Sequence, residues 1–142
     1  MLDRMLSLSG KVLDYTMTFI NALASECLGR TYLLQKLDLV EVLVRILHNE
    51  PSDSSLRQNA LGTLQKFSLR RRPQTIMIQL DMIKWIANIL SIDDGSLSEY
   101  SFEYATALLM NLSLRAAGKD KCEEPGLNLL KILNDLVEHD NF

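Results

Sequence analysis

The feature that most constrains this chain is that it repeats. Gln65-Lys66-Phe67-Ser68-Leu69-Arg70 lines up with Met110-Asn111-Leu112-Ser113-Leu114-Arg115 at a shift of 45 residues. Lys36-Leu37-Asp38-Leu39-Val40 lines up with Gln79-Leu80-Asp81-Met82-Ile83 at a shift of 43, and that match runs on to Leu47 and Leu90. Asn21-Ala22-Leu23-Ala24-Ser25 occupies the first of these places one unit earlier, with Leu23 standing for Phe67 and Leu112. A further copy of the second begins near Leu129 and ends near Val137. A chain repeating at such a period builds an array in which each unit covers an apolar face that its neighbour exposes.

Apolar spacing within the units is helical, as in Leu37, Val40, Leu43, Val44, Leu47 or Ile83, Ile86, Ile89, Leu90, and almost nowhere alternates. The breaks fall at Ser9-Gly10, Gly29, the stretch from Asn49 to Ser55, Pro73, Asp93-Asp94-Gly95, Gly118 and Pro125-Gly126, with Ser54 or Ser55 and Ser98 placed to cap the helices that follow. Each unit reads as a long helix, a very short one (Thr31 to Leu34, Gln74 to Ile78, Lys119 to Cys122) and a medium one. Three helices per unit at this period predict an all-α, armadillo-type right-handed solenoid of about three repeats, the short helix weighing against the two-helix HEAT unit. One armadillo domain spans 1–142, with units at roughly 1–29 (partial), 30–72, 73–117 and 118–142 (partial). Leu23, Leu43, Leu61, Leu64, Phe67, Ile86, Leu108, Leu109 and Leu112 are the core candidates. Neither end carries a polar cap, which predicts a piece of a longer array, or a shortened product, able to self-associate through its uncapped ends.

Composition excludes whole classes. With 47% apolar and 23% charged residues and a formal charge of −3 over 142 residues, the chain reads as one soluble globular unit and not as a strongly basic nucleic-acid domain. No stretch approaches the ~20 apolar residues of a membrane span, and Asp3 and Arg4 in the first turn argue against a secretory signal. Cys27 and Cys122 then read as reduced, buried thiols of a cytosolic protein. His48 and His139 each follow a medium helix and suit a dipole-capping role. The two His and two Cys show no metal-ligand spacing, no glycine-rich phosphate loop occurs, and Trp85 fits a helix core face. No metal, cofactor or catalytic residue is expected, and the chain is read as a non-enzyme.

Two stretches carry a more specific likeness. Asn59-Ala60-Leu61-Gly62-Thr63-Leu64-Gln65-Lys66-Phe67-Ser68-Leu69-Arg70-Arg71, followed by Gln74-Thr75-Ile76-Met77-Ile78-Gln79, and Glu103-Tyr104-Ala105-Thr106-Ala107-Leu108-Leu109-Met110-Asn111-Leu112-Ser113-Leu114-Arg115 with Gly118-Lys119 closely resemble the family of LisH-domain-containing armadillo-repeat proteins numbered nine in its naming series. The likeness runs from about Val12 to Glu138. It implies a non-catalytic protein of the cytoplasm and cytoskeleton, at centrioles and the ciliary basal body, acting in cilium assembly and signalling with centriolar or ciliary protein partners. The family's LisH dimerisation motif and coiled coil are absent from this chain, so self-association through them does not carry over.

Two surfaces compete for a partner. Armadillo proteins of the import and adhesion type hold an extended peptide along their long helices through Asn side chains, the import type adding a Trp one turn earlier. Asn111 stands at that place, with Lys66 one unit before and Ala22, beside Asn21, before that; the preceding turn offers Ala107, Gly62 and Thr18, so the Trp ladder is missing. Asn111 then either meets a peptide backbone, as in a concave-groove adaptor, or simply faces solvent. The other surface is basic: Arg70, Arg71 and Arg72 at the end of one long helix, with Arg115, Lys119 and Lys121 repeating it one unit later. Cations there complement the helix dipole, yet three in succession exceed what capping needs. They suit an acidic surface or tail, tubulin's acidic tails among them in a ciliary setting, better than nucleic acid, for which no aromatic residue is interleaved.

Overall fold

A computed structural model describes residues 2–6, 10–92 and 95–138. Among these residues all regular structure is helical and no strand occurs. Three long helices, α2 (Lys11–Ser25), α5 (Ser55–Phe67) and α8 (Glu99–Ser113), stack side by side, α2 on α5 and α5 on α8. A short helix follows each: α3 (Cys27–Leu33), α6 (Arg71–Gln79) and α9 (Ala116–Cys122). A medium helix comes next, α4 (Asp38–Asn49), α7 (Met82–Leu90) and α10 (Leu129–Glu138), while α1 (Leu2–Leu6) packs on α2. This is the all-α solenoid of armadillo units that the repeat predicted.

Local chemistry sets the helix ends. Ser54 and Ser98 cap α5 and α8, their hydroxyl oxygens accepting from the amides of Arg57 at 3.2 Å and Ser101 at 3.1 Å. One extended residue, Glu26 (φ −89°, ψ 139°), separates α2 from α3. Asp81 turns α6 into α7 in the left-handed region at φ 57°, a conformation that Asp tolerates better than most side chains.

The core runs without interruption from Met17 and Ile20 on α2 through Leu43, Leu61, Leu64, Phe67 and Ile86 to Leu108, Leu109 and Leu112. Of the predicted core, only Leu23 is half-buried, packed against the edge of the cluster.

The sequence expectations about the short helices, the breaks and the thiols are corrected. The short helices begin earlier than read, at Cys27, Arg71 and Ala116, so Gly29, Pro73 and Gly118 lie inside them and break nothing. Gly29 and Gly118 instead let the short helix cross the end of the preceding long helix: a Cβ would lie 2.2 Å from the Leu23 carbonyl oxygen at Gly29, and 1.9 Å from that of Leu112 at Gly118. Cys27, at the first position of α3, is exposed, and Cys122 is half-exposed. Trp85 does pack against the core, half-buried at its rim, with the Arg57 guanidinium 5.4 Å from its ring centroid. His48 does stand in the last turn of α4, Nδ1 2.8 Å from the Val44 carbonyl oxygen; His139 and the Asp93-Asp94 turn lie outside the described residues.

Candidate interaction surface

The stacked long helices are joined by a polar seam over Gly62. Asn21 on α2 donates to the Asn59 side-chain oxygen at 2.9 Å and to the Tyr100 hydroxyl at 3.1 Å, spanning α2, α5 and α8. Gly62 sits beneath, where a Cβ would lie 2.2 Å from that hydroxyl. Lys66 closes the seam, donating to the Asn21 carbonyl at 3.1 Å and to its side-chain oxygen at 2.6 Å. Burial pushes the Lys66 ammonium below the ordinary 10.5, and the nearby Arg30 pushes it the same way. Tyr100 stacks on Tyr104 with centroids 4.3 Å apart, and burial raises the Tyr100 hydroxyl above its usual 10.0 despite the bond from Asn21.

A second tie joins the starts of α5 and α8. Asp53 accepts from the Ser98 amide at 2.7 Å and from the Ser101 hydroxyl at 2.5 Å, with Arg57 Nε 4.0 Å away. Burial alone would raise this carboxyl, but the bonds from Ser101 and Ser98, helped by Arg57, hold it below 3.8. At the opposite ends, Arg30 donates to the Ala24 carbonyl at 2.8 Å and Gln74 to the Ser68 carbonyl at 2.6 Å, so α3 and α6 each cap the long helix before them.

The structure divides the sequence-predicted site residues into two groups. Lys66 and Asn111 belong to the packing: Asn111 is buried and donates to the Ser68 hydroxyl at 2.8 Å, so it neither faces solvent nor offers its amide to a peptide. The basic residues are at the surface, but not where expected. The long helix α5 stops at Phe67; Arg70 is the N-cap of α6, Arg71 and Arg72 open that helix, and Arg115 is the N-cap of α9. Arg71 and Arg72 stand at a positive helix pole, which their charges do not complement, while Arg70 and Arg115 lie between the C-terminal pole of one helix and the N-terminal pole of the next. Lys119 lies in the last turn of α9, where a cation is favoured. Arg70, Arg71, Arg72 and Lys119 are exposed and Arg115 is half-exposed. Helices α6 and α9 adjoin, which brings the two basic starts to neighbouring helices. Lys121 of the second group is neutralised, 3.0 Å from Asp81 and 3.0 Å from Glu124, and both carboxylates raise its pKa.

Asn59, Tyr100 and Asp53 were not singled out from the sequence. Only an Asn59 amide and a Tyr100 ring one helix apart, facing a residue without a side chain at Gly62, hinted at the seam. Among the described residues, no group of three or more His, Cys, Asp or Glu side chains is arranged to hold a metal ion, and no helix is long and apolar enough to cross a membrane.

Residues 77–142 match the family model described as LisH domain-containing protein ARMC9, ARM repeats. The chain is 48% identical over 135 residues to LisH domain-containing protein ARMC9 of Bos taurus, covering 95% of this chain and 20% of that protein. It is 46% identical over 135 residues to the Homo sapiens protein of that name, covering 95% of this chain and 16% of the relative. For the Danio rerio protein the identity is 45% over 130 residues, 92% of this chain and 16% of the relative. The chain thus spans a fifth or less of the length of these relatives. An armadillo array of this kind is a protein-interaction module, and over nearly all of its length this chain is similar to LisH domain-containing protein ARMC9.

Proposed function

We propose that this chain is a non-enzymatic armadillo scaffold of the centriole and ciliary basal body, acting in cilium assembly, stability and signalling from the cytoplasm. One observation carries the reading: the similarity to LisH domain-containing protein ARMC9 extends over 95% of the chain. It therefore includes the stacked long helices whose sequences first suggested the ciliary family. The fold supports a scaffold in physical terms, because a continuous core under repeated helix edges gives a rigid, extended surface. The groove-adaptor reading is the weaker one, since the Asn111 amide is spent on Ser68 and Lys66 on Asn21.

Proximity labelling from the full chain in ciliated cells tests this reading. Enrichment of centriolar and basal-body proteins over an unrelated helical-repeat control is the expected result. Labelling of general cytosolic proteins alone would overturn it.

A further inference from the structure

Charge is segregated along this chain in a way that the fold does not use. The formal charge is −3, yet no Asp or Glu occurs between Asp53 and Asp81, a stretch holding Arg57, Lys66, Arg70, Arg71 and Arg72. Arg57 turns inward, toward Asp53 and the Trp85 ring. The others have no carboxylate: among the described residues, none of Arg30, Lys66, Arg70, Arg71 and Arg72 forms an ion pair, whereas Lys121 one unit on forms two. Lys66 is held by neutral oxygens of Asn21, and Arg70 reaches the Thr31 hydroxyl at 3.4 Å and the Cys27 sulfur at 3.6 Å. Arg71 and Arg72 are exposed on the first turn of α6, against the sign its dipole favours. Residues that break a local rule and receive no compensation within the fold mark a surface kept for something else.

We propose that Arg71 and Arg72, with Arg70 beside them, form a docking surface at the start of α6 for an acidic peptide segment of a partner protein, rich in Glu or Asp. The guanidinium fork suits carboxylates, pairing with them bidentately. Nucleic acid fits less well. Among the described residues no aromatic ring lies over any of the three arginines, so the base-stacking platform of a nucleic-acid site is missing. The inference rests on the reading of this chain as a protein-interaction module.

Fluorescence anisotropy of a labelled oligoglutamate peptide, titrated with the full chain at low and physiological salt, tests it. The expected result is saturable binding that weakens with salt. Replacing Arg71→Ser and Arg72→Ser together should weaken it by about tenfold or more, with an unchanged circular dichroism spectrum. Replacing the exposed Lys84→Ser and Lys131→Ser should leave it within about twofold. No binding, equal loss in the two double variants, or tighter binding of single-stranded DNA of the same charge would overturn the proposal. A chain that labels basal-body proteins but binds no acidic peptide refutes this docking surface and leaves the scaffold reading standing. Peptide binding without such labelling does the reverse.

Discussion

The carboxylate of Asp53 accepts the backbone amide of Ser98 at 2.7 Å, so the approach to one long helix is fastened to the cap of the next. The same carboxylate takes the Ser101 hydroxyl, and neighbouring units are thereby tied at one end by charge-assisted hydrogen bonds while their centres share an apolar core. Its consequences for stability are specific.

Asp53→Ala should lower stability by about 1.5–3 kcal/mol, the range for hydrogen bonds to a charged group. The folded carboxyl titrates below 3.8, so the folded state holds its proton less tightly than the unfolded chain. The stabilisation is therefore present above the unfolded pKa and is lost as pH falls through the folded one. Urea unfolding of both proteins across that range should show the difference shrinking with acid; a pH-independent difference would mean that the Asp53 charge contributes nothing.

Gly62→Ala places a methyl group 2.2 Å from the Tyr100 hydroxyl and 3.1 Å from the Asn21 side-chain oxygen. Overpacking of this kind costs about 1–3 kcal/mol. Tyr100→Phe removes the clashing atom, so the double variant should lose clearly less than the two single losses combined. Strict additivity in denaturant midpoints would place the seam elsewhere.

Phe67 is completely buried where α5 ends. Phe67→Ala should cost about 3–5 kcal/mol, and an unshifted melting midpoint would contradict the register in which Leu23, Phe67 and Leu112 are equivalent.

The helices were legible in the sequence wherever an apolar stripe or a capping serine marked them. The shifts of 43 and 45 residues found α4 against α7 and α5 against α8, and Ser54 and Ser98 cap as expected. The starts of the short helices were not legible, because only Glu26 separates α2 from α3 and no glycine or proline marks the turn. Gly29 and Gly118 misled for the same reason: a glycine needed for close approach looks in sequence like one that ends a helix. Displacing those starts also reversed the electrostatic meaning of Arg71 and Arg72, moving them from a negative helix pole to a positive one, with Arg70 left between the two. Asn111 reads as a surface residue until the partner hydroxyl of Ser68, 43 residues away, is seen across the helix interface.

The arginines at the start of α6 are proposed to serve a partner and not the fold. The most direct measurement is the unfolding free energy of a variant carrying Arg71→Glu and Arg72→Glu, at low and high salt, beside the unsubstituted chain. Acidic residues in the first turn of a helix complement its dipole, so stability should be unchanged or raised, with any gain fading as salt screens it. A loss of more than about 1 kcal/mol would show that the arginines hold the fold together, and would contradict the claim.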